Sequence, residues 1–396
     1  MRIRANVDFY GNRFLMFVLD RMAYEYEKEG KDVIRLTLGK AELPLKSEIV
    51  KSMQAAMEDD HKSSLVFPEG LPQLKEELAR YYHGRYEVDI PPKNFIISVG
   101  TSTLFRNLFY LLAGEGDEIL LPLPYYSLYR FCGLLVGAKI KYYRIDPDTM
   151  RLDRDSFREN FTEKTRIVVI NTPGNPLGNI LTTEELYEMD RIVNGQAAII
   201  NDEIYANVVF DQEGTSVMQL EGTKSTFITT DAFSKGYRMY CRRVGYAIVP
   251  DELVTPLTVI QHHTLLTTDP VVQFGAIAAL SYQDEVQELV RLYKERRDYT
   301  ISRLGDLKDV KVYPSEGGFY ITLDCGAFMK NRRIQDSLEL AVRIMERQNV
   351  AAVPGADFGL PQALRLSFSN LRYREGIDRL HRFFLREGGA AVPGHI

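Results

Sequence analysis

The sequence predicts an α/β protein: a large domain with a mostly parallel, doubly wound sheet, joined by a smaller α+β domain drawn from both termini. Three observations predict it. From about residue 94, short apolar runs alternate with amphipathic segments, the order in which strands and crossover helices follow one another in a parallel sheet. The runs are apolar at successive positions rather than at every second one, as strands covered by helices on both faces require. Before about residue 40 and after about residue 275 the alternation breaks, which assigns residues 41–275 to the large domain and residues 1–40 with 276–396 to the small one.

The elements follow in order. Residues 11–29 carry the apolar spacing of an amphipathic helix. NFIISVG reads as a strand and TSTLFRNLFYLLAGEGD as the helix behind it; DEILLPLP and YYSLYRFCGLLVG repeat the pair, and AKIKYYRID adds a strand. RIVVINTP is a strand, and the helix that follows it in TTEELYEMDRIVNG is announced by Thr182 and Glu185, spaced as a capping box. AAIINDEIY, STFITTDAFSK and VGYAIVP complete the sheet. Beyond 275 come a long helix through SYQDEVQELVRLYKERRDYTISRL, extended segments in VKVYPSEGGFYITLDC, a helix over DSLELAVRIMERQNV, and strands in VAAVPG and ALRLSFS.

Composition limits the function. At 396 residues the chain exceeds the size at which one core usually stops growing. Lys+Arg 49 against Asp+Glu 54 leaves a net charge of −5, which argues against nucleic acid as the main partner but leaves room for a small anion in a local basic pocket. Cys132, Cys241 and Cys325 are odd in number and widely spaced, so neither a disulfide framework nor a cysteine metal site is signalled. The opening MRIRANVDFYGNRF lacks the apolar core of a signal peptide, and no run approaches the ~18 uncharged apolar residues of a membrane helix. A soluble, cytoplasmic protein without a membrane partner is expected.

In open α/β sheets ligands gather outside the carboxyl ends of the strands. Four polar groups fall at such ends: Gly100-Thr101-Ser102-Thr103, which opens a helix whose free N–H groups favour an anion; Asn171 to Gly178, NTPGNPLG; Asn201-Asp202-Glu203-Ile-Tyr205; and Ser234-Lys235. The segment Ala232 to Tyr246, AFSKGYRMYCRRVGY, then places Arg238, Arg242 and Arg243 close behind Lys235 in an acidic chain. Taken singly, each group has a plain structural reading as a helix cap, a turn or a basic surface loop.

Taken together and in this order, from Gly39 to Arg365, they resemble the class I/II aminotransferases, fold-type-I enzymes that use pyridoxal 5'-phosphate. The resemblance implies the following roles. Lys235 forms the Schiff base with the cofactor aldehyde, and Arg243, eight residues on and followed by Val-Gly-Tyr, grips the phosphate. Asp202 keeps the ring nitrogen protonated, while Tyr205 and Asn175 bond the ring's phenolate oxygen. Tyr126 lies flat on the ring; Thr101 and Ser102 hold the phosphate, and Ser234 also binds the cofactor; Arg365 takes the substrate α-carboxylate, with Asn175 and Gly39 beside it. The catalytic set is therefore Lys235, Asp202 and Tyr205, with no metal. The family also implies a homodimer acting on an amino acid and a 2-oxo acid.

Departures accompany the match. Ala232 stands where a phosphate-binding serine is common, Leu177 where a threonine is usual, Cys241 where a glycine is common, and Phe67 where a partner subunit's tyrosine would reach the phosphate. They leave open that Arg238, Arg242 or a tyrosine makes up for the lost contacts. They also leave open a second reaction class on the same cofactor: a lyase, cyclase or oxidase acting on an amino acid. A third reading, the ligand-sensing half of a transcription regulator, needs a winged-helix region before Gly39, where one helix and a strand are expected. Tyr10, Phe14 and the loop 261–270 are candidates for the substrate wall, Lys40 and Arg13 for the second cation that a dicarboxylate substrate would need, and His262 and His263 read as helix-end residues.

Overall fold

The apolar runs between residues 95 and 248 pair into one eight-stranded sheet. From edge to edge its strands are Phe95–Ser98, Gly245–Ile248, Phe227–Ala232, Ala198–Asp202, Thr165–Asn171, Glu118–Leu123, Lys139–Asp146 and Arg151–Leu152. The pairings among Phe227–Ala232, Ala198–Asp202, Thr165–Asn171, Glu118–Leu123 and Lys139–Asp146 are parallel; Gly245–Ile248 runs against both its neighbours, and the short Arg151–Leu152 closes the far edge antiparallel. The computed structural model describes residues 14–39 and 43–389. Tyr10, Arg13 and Lys40 lie outside the described residues.

Successive side chains of the inner strands enter different cores, which is why these runs are apolar at every position. Ile119, Leu121, Ile167 and Val169 pack with Leu104 and Leu108 of the helix Thr101–Leu112 on one face. Leu120, Val168, Ile170 and Ile199 pack with Phe157, Leu186 and Met189 on the other. Burying a side chain of this size stabilises the fold by about 1.5–3 kcal/mol, so each face contributes heavily.

The helix Thr183–Val193 starts on the predicted box: Glu185 N donates to Thr182 Oγ1 at 3.2 Å and Thr182 N donates to Glu185 Oε2 at 2.7 Å. Its other end is Asn194 in the left-handed region, φ +48°.

The ends of the chain meet in a second core. The helix Met16–Lys28, the long helix Gln283–Leu304, and the helices Ser337–Gln348 and Tyr373–Gly389 surround an antiparallel sheet ordered Lys311–Tyr313, Tyr320–Asp324, Ala363–Ser367, Val353–Pro354. Ile34–Arg35 pairs in parallel with Val350–Ala351, which ties the N-terminal segment to the C-terminal one. Leu19, Ile34, Tyr293, Ile321, Leu364 and Phe384 share this core. Gln283–Leu304 also reaches the larger unit, since Val286 packs with Val244 and Ala276. The helix Asp251–Leu265 carries His262 and His263 in its last turn, the helix-end positions expected of them, and Asp269 caps the next helix, Pro270–Leu280. No helix among the described residues is long and apolar enough to cross a membrane.

Candidate active site

Gly100 ends its strand at φ +77°, and the helix Thr101–Leu112 begins on it with no side-chain cap and no acid in its first turn. The first N–H groups of that helix are therefore left for an external anion. Arg243, itself at φ +55°, lays its guanidinium against this turn so closely that a Cβ on Gly100 would collide with Nη2. Arg243 Nη1 donates to Ser234 Oγ at 3.4 Å and to the Tyr240 carbonyl at 3.2 Å. Thr101, Ser102, Ser234 and Arg243 thus assemble one anion cradle at the sheet's carboxyl edge.

Lys235 follows the strand Phe227–Ala232 and is buried. Its Nζ donates to the Gly39 carbonyl at 2.6 Å and lies 5.2, 5.5 and 5.8 Å from the ring centres of Tyr240, Phe319 and Tyr205. Burial holds the amine below the usual lysine range, and the charges of Arg365 and Arg243 push the same way. An amine that gives up its proton readily is a better nucleophile. Gly39 has to be glycine: a Cβ there would collide with Tyr320 Oη and stand 2.7 Å from Lys235 Nζ.

Asp202 closes the strand Ala198–Asp202 on the cavity floor. Tyr129 Oη donates to its Oδ2 at 2.7 Å and Ile204 N to its Oδ1 at 3.3 Å. Burial nevertheless pushes its pKa up to about 6. Asn171, one strand over, donates from Nδ2 to the Asp202 carbonyl at 2.9 Å and accepts from Asn175 N at 2.8 Å, which fixes the NTPGNPLG turn beside the aspartate.

Arg365, on the strand Ala363–Ser367 of the smaller sheet, is buried and donates to Asn175 Oδ1 at 3.1 Å and to the Thr37 carbonyl at 3.0 Å. Its guanidinium carbon lies 3.9 Å from the ring centre of Tyr320 and 4.7 Å from that of Phe358. Its Nε is buried with no acceptor among the described residues. A buried guanidinium with a spare donor is costly unless an anion meets it.

Tyr126 is half-buried, and desolvation pushes its hydroxyl up to about 12; its ring meets that of Tyr129 edge-on at 5.7 Å. Tyr205 Oη donates to Tyr320 Oη at 3.4 Å. Burial pushes the Tyr320 hydroxyl up, but the adjacent Lys235 and Arg365 outweigh it and hold that hydroxyl below the ordinary tyrosine range. All the sequence-predicted site residues line one cavity of about 490 Å³, together with Phe14, Met16, Leu38 and Ile204.

Parts of the sequence reading need correction. Arg238 does not face the cavity; it turns away to an ion pair with Glu285. Arg242 is exposed, so neither arginine makes up for the missing phosphate contacts. Leu177 is buried in the core under the sheet, among Ile170 and Leu181, and Phe67 packs against the opposite core. No residue of 261–270 reaches the cavity wall. Tyr129, Tyr240 and Tyr320 do, and sequence reasoning missed all three. Tyr129 had a signal: it lies three residues after Tyr126, hence on the same side of the helix that begins between them.

The model of the family described as aminotransferase class I and II matches residues 31–380. The chain belongs to that family. A probable aspartate/prephenate aminotransferase of Aquifex aeolicus is 30% identical to this aminotransferase over 372 residues, covering 91% of this chain and 93% of its own length. Among solved structures, an aspartate aminotransferase of Thermotoga maritima superposes with a TM-score of 0.84 at 28% identity, covering 94% of this chain and 97% of its own. An alanine aminotransferase of Pyrococcus furiosus does so with a TM-score of 0.88 at 25% identity, covering 97% and 100%. The protein is thus a transferase of the pyridoxal-phosphate-dependent aminotransferase type, and its fold is fold-type I. Of the reactions left open by the sequence, amino transfer is the one these relatives favour over the lyase, cyclase or oxidase alternative. The residues present fit the cofactor: the Gly100–Arg243–Ser234 cradle suits a phosphate, Asp202 a protonated ring nitrogen, and Lys235 an aldehyde.

Proposed function

We propose that Lys235 is the amine that links covalently to the cofactor and later moves the substrate proton, that Asp202 is the counter-charge of the cofactor ring, and that Arg365 receives the α-carboxylate of an L-amino acid or a 2-oxo acid. The observation that carries this reading is the convergence of one depressed lysine, one buried carboxylate and two cationic anion sites on a single cavity.

When bound, the cofactor supplies an aldehyde that accepts amino groups and an electron-poor ring that shares the electron pair left when the substrate Cα–H bond breaks. The chain's own residues do the rest. Thr101, Ser102, Ser234 and Arg243 hold the phosphate end. Asn175 accepts from Arg365 on its carbonyl, which leaves its NH2 group to donate to a phenolate oxygen, and the Tyr205 hydroxyl would turn its proton from Tyr320 to the same oxygen. Tyr126, on the cavity wall, would pack against the ring. Arg365, steadied between the rings of Tyr320 and Phe358, orients the carboxylate so that the Cα–H bond faces Lys235 Nζ, which takes the proton. Gly39 lets the backbone come close to the amine and to the bound substrate.

The same reading takes residues 41–275 as the large domain and 1–40 with 276–396 as the small one, with the substrate between them; the separate core built around Leu19, Tyr293 and Leu364 supports it. It also takes the enzyme to be a cytoplasmic homodimer, as the family resemblance implies. The test is Lys235→Ala: the variant should lose turnover with every amino acid and lose borohydride fixation of the cofactor, and persistence of both defeats the reading.

A further inference from the structure

The helix Met16–Lys28 gets no side-chain cap from its own N-cap residue, Leu15, and has no acid in its first turn. Its free N–H groups are met from more than 340 positions along the chain: Leu15 N donates to Asp357 Oδ1 at 2.7 Å and Met16 N to Oδ2 at 2.9 Å. A carboxylate that receives two N–H groups at a helix start is a strong, directional clamp.

Asp357 is itself firmly placed. It lies in the 3-10 turn Gly355–Phe358, where Gly355 has no room for a Cβ beside the Leu360 carbonyl and Gly359, at φ +79°, closes the turn against Leu123 and Tyr125. Its neighbour Phe358 is one of the two rings that sandwich Arg365, and that ring meets Phe14 edge-on at 6.0 Å. Met16 Sδ lies 3.9 Å from Arg365 Nη2. The clamp therefore fastens the two residues, Phe14 and Met16, that wall the cavity next to the carboxylate-binding guanidinium.

We propose that Asp357 is a positioning residue for substrate binding: it pins the first turn of the N-terminal helix so that Phe14 and Met16 complete the pocket over Arg365. An amino acid then binds well only while the clamp is made. The inference rests on the reading of Arg365 as the carboxylate anchor.

The test compares Asp357→Asn, Met16→Ala and Arg365→Lys with the parent holoenzyme. The Asn side chain matches the carboxylate in shape but can accept only one of the two N–H groups. Asp357→Asn should raise KM for the amino acid by about tenfold, the effect of one lost charge-assisted hydrogen bond, with kcat and cofactor uptake unchanged within about threefold. Amide hydrogen exchange over residues 14–20 should quicken in that variant and nowhere else. Met16→Ala should raise KM while leaving Asp357 and its clamp intact. A normal KM in Asp357→Asn despite faster exchange at 14–20 overturns the proposal, as does a parallel fall of kcat, cofactor uptake and stability. If Arg365→Lys leaves KM unchanged, the carboxylate anchor itself has been misread; if it raises KM while Asp357→Asn does not, only the positioning role falls.

Discussion

Tyr129 donates its hydroxyl to Asp202 Oδ2 at 2.7 Å, on the floor of a cavity where that carboxylate is otherwise drawn toward its neutral form by burial. Tyr129→Phe removes the donor and leaves a buried carboxylate oxygen short of one partner, at a cost of about 1–3 kcal/mol. Cofactor affinity, read by absorbance titration of the apo protein, should fall between about fivefold and a hundredfold. The pH dependence has a definite sign. The pKa of Asp202 before the cofactor binds is raised to about 6, and binding a protonated ring nitrogen requires the ionised form. Affinity should be full well above pH 6 and decline as the pH falls through it. Asp202→Asn should bind weakly at every pH and lose that part of the slope; an unaltered slope would exclude Asp202 as the counter-charge.

Gly100 and Arg243 provide a second check. Gly100→Ala suffers both a positive φ and a collision with the guanidinium, whereas Gly30→Ala has a similar φ, +79°, with nothing within 4 Å. Both substitutions should cost about 1 kcal/mol of stability from backbone strain. Gly100→Ala alone should also weaken cofactor binding by tenfold or more, since it displaces a charge-assisted phosphate contact. Equal cofactor affinity in the two variants would remove Arg243 from the phosphate site.

Tyr320 brings its hydroxyl and the Lys235 amine to the same point beside Gly39, while its ring carries Arg365. Tyr320→Phe keeps the ring and removes only the hydroxyl. The prediction is a kcat about tenfold lower with KM changed less than threefold, the pattern of a group that steadies the moving proton rather than the carboxylate. A larger change in KM than in kcat would assign Tyr320 to substrate binding instead.

Glu203, behind the site, accepts from Asn201 Nδ2, Ser216 Oγ and Val217 N on Oε1, while Oε2 is buried without a partner among the described residues. Burial pushes its pKa up to about 7. Between about pH 4.5 and 7 the folded chain holds a proton that the unfolded chain releases, so this group lowers stability as the pH rises through that window. Glu203→Gln should lack the dependence. Unfolding free energies of the two proteins from urea titration should be close near pH 5 and favour the variant at pH 8, by on the order of 3 kcal/mol at most. A variant less stable at pH 8 than at pH 5, relative to the parent, would refute the assignment.

The sheet and most of the cavity were legible in the sequence because strand ends are a local property. Asn171 and Asp202 each close an apolar run and Lys235 stands three residues past a strand, and short runs apolar on both faces, alternating with amphipathic segments, are what covered strands require. The role of Arg365 was legible mainly through resemblance: an arginine between apolar strand residues calls for an anion, but nothing in its neighbourhood says which sheet edge it will meet. Tyr129 and Tyr320 were hidden among 23 tyrosines spread over cores, cavity and surface, so residue type alone could not single them out. Arg238 and Arg242 misled for the opposite reason: closeness to Lys235 along the chain does not set side-chain direction, and Arg238, at φ +60°, turns to Glu285. Asp357 could not be found from its surroundings, because its partners Leu15 and Met16 lie at the other end of the chain.

The most direct measurement is reduction of the cofactor-loaded enzyme with borohydride, followed by digestion and mass mapping of the modified peptide. One pyridoxyl group per chain on Lys235, in the peptide spanning Ala232 to Arg238, is the predicted result. Modification at another lysine, or none at all in a protein that still transfers amino groups, would contradict the account.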